Sequence, residues 1–262
     1  MNNKVPEITV YFWIIKVLCT TVGETVADYL NGKLHFGLTG TSWVMSGLLL
    51  IALFFQFKAK KYSPSIYWLS VVLISVVGTL ITDNLTDKFN VPLETSTILF
   101  SVLLVITFTV WFIFEKTLSI HSIVSTRREG FYWLAILFTF ALGTASGDLI
   151  AETLGYGYLT SIFIFAGIIT FIGILYCIIK GVLDKEHIHY STNAILTFWF
   201  AYIFTRPLGA SIGDYLSQGQ NNGGLGLGSS VTSSLFLVSI LSLVVYLTLI
   251  KKDEISTVKN IY

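Results

Sequence analysis

Apolar residues run in eight stretches along the chain, at about 9–31, 38–58, 66–88, 95–115, 131–154, 158–180, 194–217 and 229–250, with short polar segments between them. At 1.5 Å per residue, roughly 20 apolar residues cross the hydrocarbon of a bilayer, so each stretch predicts a transmembrane helix. The odd-numbered stretches share one ungapped pattern: Trp, nine residues, Gly, four residues, Asp. Its copies are Trp13/Gly23/Asp28, Trp68/Gly78/Asp83, Trp133/Gly143/Asp148 and Trp199/Gly209/Asp214, each Trp preceded by an aromatic residue (Phe12, Tyr67, Tyr132, Phe198). The even-numbered stretches are plainer, rich in Leu, Ile, Val and Phe, and several begin with small hydroxyl residues such as Thr41, Ser42, Thr95 and Ser96. Self-similarity at a fixed period means a repeat architecture. The pattern predicts an all-α membrane protein: eight transmembrane helices built from four two-helix hairpins, at about 9–61, 62–127, 128–190 and 191–252 of a single domain spanning 1–262.

Charge gives the repeats a direction. Lys4, Lys58, Lys60, Lys61, Lys116, Arg127, Arg128, Lys180, Lys185, Lys251, Lys252 and Lys259 lie in the tails and in the loops between repeats; only Lys33 and Lys88 lie in connectors inside repeats. This bias places both termini in the cytoplasm and makes all four repeats parallel, related by axes along the membrane normal. Either a fourfold or a two-by-two arrangement satisfies it. Composition agrees: 54% of residues are hydrophobic and 12% charged, against about 25% charged in a soluble domain. The net charge of +1 argues neither for nor against an acidic partner; without a polybasic patch no nucleic-acid partner is expected, and the lipid bilayer is the expected environment. The first stretch lacks a cleavage signal and is read as a retained helix. Cys19 and Cys177 sit in apolar stretches without metal-ligand spacing and are read as packing residues.

Within the repeat, each position has a physical reading. Four residues beyond each Gly stands Ala27, Thr82, Gly147 or Gly213. A Gly-x-x-x-small pair lies on one helix face and lets two backbones approach, so Gly23, Gly78, Gly143 and Gly209 are expected to pack helices. The Trp residues suit interfacial anchors at the cytoplasmic end. Fifteen residues on, Asp lies about 22 Å along the axis and about 60° around it, toward the extracytoplasmic third.

Ionisable residues at membrane depth mark sites by default. Asp28, Asp83, Asp148 and Asp214 form the candidate set, joined at four-residue spacing by Glu24, Asp87 and Glu152. Hard oxygen ligands without His or a Cys pair suit Mn²⁺, Mg²⁺ or Ca²⁺, so the four Asp are also the candidate metal ligands. Clustered carboxylates in low dielectric do not all stay ionised, which suits proton coupling. The bland alternative is that the Asp side chains cap or bond neighbouring helices near the interface. Two cations also lie inside spans: Lys16, and Arg206, which is too far from Asp214 for a pair on its own helix and is expected to meet an acid on another one. Pro207 makes the seventh span the expected broken helix.

The segments Gly143-Thr-Ala-Ser-Gly-Asp148-Leu-Ile-Ala-Glu152 and Phe198-Trp-Phe-Ala-Tyr-Ile-Phe-Thr-Arg-Pro-Leu-Gly-Ala-Ser-Ile-Gly-Asp214-Tyr, with the glycine run at 223–228, carry a family resemblance. The chain resembles the bacterial four-repeat membrane proteins described as uncharacterised membrane-anchored proteins. The resemblance implies a multi-pass protein of the bacterial inner membrane and supplies no substrate.

Function therefore rests on the residues. The first expectation is a secondary transporter of a divalent cation, driven by a gradient because no ATP-binding motif is present. A transporter of a small organic or anionic solute held by Arg206, and a structural or sensor subunit, are the alternatives. No nucleophile shares its depth with a base, so no enzyme and no cofactor is expected. The glycine run lacks a nucleotide-binding setting and reads as a flexible connector or a lid. His187 and His189, near Asp184 and Glu186, give a weak metal suggestion beside the reading of a solvated loop.

Overall fold

The computed structural model describes residues 3–33, 36–182, 192–250 and 253. His35, His187 and His189, with the metal suggestion attached to the last two, lie outside the described residues. Among the described residues, eight helices are long and apolar enough to cross a membrane. They are α1 (Val10–Asp28), α2 (Gly37–Lys58), α3 (Pro64–Asp83), α4 (Leu93–Glu115), α5 (Thr126–Asp148), α6 (Tyr158–Val182), α7 (Thr192–Ser217) and α8 (Ser229–Ile250).

The patterned helices are the inside of the bundle. In α1, α3, α5 and α7 between 56% and 67% of the spanning window is buried; in α2, α4, α6 and α8 it is 17–22%. The outer helices accordingly present bare apolar side chains, among them Leu50, Val105, Phe163 and Leu249, as a helix in hydrocarbon must.

The inner helices close a ring: α1 packs on α3, α3 on α5, α5 on α7 and α7 on α1. The same contact makes each joint. A Cβ added at Gly23 would lie 2.7 Å from Ser75 Cβ, at Gly78 2.6 Å from Phe140 Cβ, at Gly143 2.5 Å from Arg206 Cβ, and at Gly209 2.6 Å from Thr20 Cβ. Thr20, Ser75, Phe140 and Arg206 each stand three residues before their own helix's glycine. One rule thus runs round the ring, and the fourfold arrangement replaces the two-by-two alternative.

The expected hairpins do not form the packing units. Each outer helix lies chiefly on the inner helix of the following repeat: α2 on α3, α4 on α5, α6 on α7, and α8 back on α1. A repeat therefore completes its neighbour rather than itself, and the circle closes where chain order ends.

The aromatic pairs obey the same rotation. Phe12 meets Trp68, Tyr67 meets Trp133, Tyr132 meets Trp199 and Phe198 meets Trp13, with ring centroids 5.6, 5.6, 6.2 and 5.7 Å apart. Trp68, Trp133 and Trp199 are buried, so the expectation of interfacial anchors is corrected: aromatic–aromatic contact across the ring outweighs headgroup contact.

Pro207 does not break its helix. α7 runs through it to Ser217. The other three inner helices instead change pitch directly after the Asp, into wide turns at Tyr29–Lys33, Asn84–Lys88 and Leu149–Thr153. Bonds from Phe89 N–H to Asn84 O (3.1 Å) and from Leu154 N–H to Leu149 O (2.9 Å) show their five-residue reach. The glycine run is not a loose lid either: Leu225, Gly226 and Leu227 N–H groups donate back to the carbonyls of Tyr215, Gln218 and Leu216 on the end of α7.

The glycine joints generate a direct prediction. Gly78→Leu and Gly209→Leu should each cost about 1–3 kcal/mol or more by overpacking, read as a fall in unfolding temperature in detergent. Gly167→Leu, on the outer face of α6 with nothing within 4 Å of the added atom, should stay near wild type.

Candidate functional site

Ring closure stacks the inner helices in register. Levels four residues apart run from Phe12, Tyr67, Tyr132 and Phe198, through Lys16, Val71, Ile136 and Tyr202, then Thr20, Ser75, Phe140 and Arg206, then Glu24, Thr79, Thr144 and Ala210, to Asp28, Asp83, Asp148 and Asp214. All residues of the first four levels are buried; at the last, Asp28, Asp83 and Asp148 are half-buried and Asp214 is buried. The bundle is thus shut at its aromatic end and becomes accessible at its acidic end.

The shut end has its own fastening. The segment before α1 tucks Lys4 and Val5 into the bundle, and Lys4 Nζ donates to Glu129 Oε2 at 2.7 Å and to Phe57 O at 2.9 Å. Gln56 Nε2 donates to Glu129 Oε1 at 3.1 Å, and the Tyr62 hydroxyl donates to Asp253. Burial, with the Asp253 carboxylate beside it, holds the Tyr62 hydroxyl above the usual phenol range.

The four Asp share one level of the ring at the accessible end, each four residues beyond the buried level of Glu24, Thr79, Thr144 and Ala210. Asp28, Asp83 and Asp148 each close an α-helical segment that runs on into a wide turn, and Asp214 lies in the last turn of α7, where the helix dipole adds negative potential. Like charge at one level makes this end attractive to cations. It is not a preformed inner-sphere metal site: among the described residues no three Asp, Glu, His or Cys side chains are grouped to hold one ion.

The three further acids separate. Glu24 lies beneath the Asp level and is buried; Asp87 and Glu152 are exposed on the rim, where Asp87 accepts from the Thr86 hydroxyl at 3.0 Å and Glu152 from Tyr158 Oη at 2.9 Å. Gln218, which occupies in α7 the place of those rim acids, donates to Asp28 Oδ2 at 3.4 Å.

Arg206 finds its acid on α1. It is fully buried, and its Nη2 donates to Glu24 Oε2 at 2.9 Å, to Thr144 Oγ1 at 2.7 Å and to Thr79 Oγ1; Nη1 donates to Thr20 O at 2.7 Å. One guanidinium thereby ties α7 to α1, α3 and α5. Sequence alone could not name Thr79 and Thr144. Their signal is that they hold, one residue after their glycines, the place that Glu24 holds in the first repeat.

A cleft of about 280 Å³ opens between α1, α6 and α7 near the aromatic end. Val17, Ile172, Ala201 and Leu208 line it together with polar Ser119, His121 and Thr197, and none of the acids does.

A family model for a Repeat of Unknown Function (DUF347) matches the chain four times, over residues 11–62, 66–117, 131–181 and 197–253. The chain belongs to the DUF347 repeat family. Each match in this DUF347 protein takes in one inner helix, nearly all of it, and the outer helix that follows. No curated protein and no solved structure matches it.

The buried pair generates the second prediction. Glu24→Gln leaves the Arg206 charge uncompensated and should cost about 3–5 kcal/mol. Adding Arg206→Met to it should restore most of the loss, since an apolar side chain of similar length leaves no charge behind. Thermal unfolding of the two proteins in detergent checks both.

Proposed function

We propose that this protein is a secondary transporter of a small cation, loaded at the ring of Asp28, Asp83, Asp148 and Asp214. The feature that carries the reading is the set of four carboxylates at one level of the inner ring, at its accessible end and above levels that are buried. Carboxylates and helix C-terminal ends are the donors that hold cations where transporter helices lose their regular form. The wide turns after three of the four Asp supply that irregularity, and such turns recur at functional positions.

A divalent ion that keeps part of its water shell suits a ring whose acids stand apart rather than in an inner-sphere cage. Rim acids Asp87 and Glu152 extend the negative field outward and raise the local cation concentration. Both termini lie in the cytoplasm on the evidence of the Lys and Arg distribution. The acidic ring then faces the extracytoplasmic side of a bacterial inner membrane, and the state described is open to that side.

The anion alternative loses its main support in the geometry. Arg206, its proposed receptor, already donates to Glu24 and to three further oxygens, and lies below the acids that an anion would have to pass.

Uptake of Mn²⁺, Mg²⁺ and Ca²⁺ into proteoliposomes tests the reading. Asp148→Asn and Asp214→Asn should each lower uptake of the transported ion at least about tenfold, the effect of about 1.4 kcal/mol of lost binding, at unchanged protein level. Wild-type uptake in both variants would refute it. The same ion should raise the unfolding temperature of the wild-type protein, by mass action, and not that of the double variant.

A further inference from the structure

Lys16 has no place in the account so far, and the fold does not ask for it. Its equivalents on α3 and α5 are Val71 and Ile136, so an apolar side chain satisfies this level of the ring. Lys16 is nonetheless fully buried, and its Nζ has no hydrogen-bond acceptor. The amine lies over two rings instead, 3.9 Å from the centroid of Tyr202 and 4.7 Å from that of Phe140. Arg206 shares the Phe140 ring with it from the acidic side, 5.8 Å from the centroid, and Cys19 stands three residues on along α1. At its own level and the next toward the acidic end, α3 and α5 offer it no ionisable group, only Val71, Ser75, Ile136 and Phe140. A buried amine without a structural partner costs stability, and inside a membrane such a group is a functional candidate.

What surrounds it is a line of polar atoms. Toward the acidic end, Ser75 Oγ and Arg206 Nε are buried without a protein partner, one level from the Glu24–Thr79–Thr144 cluster. Toward the aromatic end, the Tyr202 hydroxyl also lacks a partner within bonding reach, and Tyr132 stands one level on, on the neighbouring helix α5. The Tyr132 and Tyr67 hydroxyls then bond each other at 2.5 Å. The Tyr67 ring packs on Tyr62 at 5.7 Å, and Tyr62 donates to Asp253 at the end of the bundle. Hydroxyl groups both donate and accept, so they hand a proton on when each comes within reach of the next; the Tyr132–Tyr67 and Tyr62–Asp253 steps are bonded here, and the others need a side-chain shift or water between them.

We propose that Lys16 is the proton carrier of a route through the bundle, which joins the Arg206–Glu24 level to the aromatic end by way of Tyr202, Tyr132, Tyr67, Tyr62 and Asp253. It rests on the transport reading, for which it supplies the coupling ion. One proton enters from the acidic side onto the Lys16 amine, and one leaves by the tyrosine row. Each side chain returns to its starting protonation, and the net change is one proton moved across. Arg206 stays charged throughout, and by repelling a second positive charge it favours release of the proton from Lys16. The aromatic level thus bars solutes and passes protons.

The test uses full-length protein in liposomes that trap a pH-sensitive dye, with a potassium diffusion potential set by valinomycin. Wild-type protein should carry protons down that potential. Lys16→Met and Tyr132→Phe should each lower the proton flux by about a hundredfold, the lower range of what a positioned proton-transfer group contributes. Lys16→Met should also unfold at a higher temperature than wild type, because it replaces an unpartnered amine by an apolar chain of similar shape. Tyr132→Phe, which removes one oxygen atom, guards against a folding artefact. The ion-dependent rise in unfolding temperature, which reports the Asp ring, should persist in both variants. Wild-type proton flux in both variants, or none in the wild-type protein, overturns the route. A wild-type protein that carries protons but shows no thermal shift with any ion overturns the cation reading and leaves the route standing.

Discussion

Four glycines let the inner helices meet at a separation that any side chain would prevent. At each joint the incoming residue of the next helix fills the space a Cβ would need: Ser75, Phe140, Arg206 and Thr20 in turn. In hydrocarbon there is no hydrophobic drive to hold helices together, so this close packing has to supply the association. It also fixes the register. Once the glycine level is set, the levels above and below follow at four-residue spacing, and the four Asp are brought to one end of one ring. Leu or Val at a glycine would displace a whole helix and with it a quarter of the site.

The charged departures from the ring's symmetry lie between its aromatic and Asp ends. Of the five levels only that of the Asp repeats faithfully. Glu24 stands where the other repeats have Thr79, Thr144 and Ala210; Arg206 where they have Thr20, Ser75 and Phe140; Lys16 where they have Val71, Ile136 and Tyr202. A small polar or apolar residue is thus compatible with every one of these places. The charged ones are local departures from the repeat, and two of them neutralise each other at 2.9 Å. The third does not. Divergence has concentrated in the middle of the bundle, where a charge is most costly.

Much of this was legible in the sequence, because the signals were periodic. The alternation of patterned and plain stretches predicts inner and outer helices; the invariant spacing predicts repeats; the Gly-x-x-x-small pairs predict close packing. Other features depend on which surfaces meet, and no single repeat encodes that. The Trp residues look like membrane anchors in isolation, yet the ring turns three of them inward against the aromatic residue of the preceding repeat. Two adjacent helices look like a hairpin, yet the outer one lies over the inner helix of the next repeat. Pro207 looks like a break, yet it sits where α7 packs on α5: a Cβ at Gly143 would lie 3.0 Å from Pro207 Cδ. Neighbouring helices re-satisfy a membrane helix through proline, and the irregularity moves to the wide turns after the Asp residues. The partner of Arg206 could be predicted in kind, an acid on another helix, but not in name.

The two ends of the bundle are built on opposite principles, and this bears on how it would work. The acidic end gathers like charges that repel one another and so invites a compensating cation. The aromatic end is neutralised and cross-tied. Lys4 meets Glu129, Tyr62 meets Asp253, and these contacts join the segment before α1, the start of α5, the approach to α3 and the residues after α8. A cation bound at the Asp ring relieves repulsion among four helix ends without touching the ties at the far end. Any coupling between the ends must therefore pass along the helices or through the polar core between them. Among the described residues Arg206 is bonded to three helices of the ring besides its own, so a shift of any of those helices changes its hydrogen bonds. A residue so tied is placed to report, to the shut end, what the open end has bound.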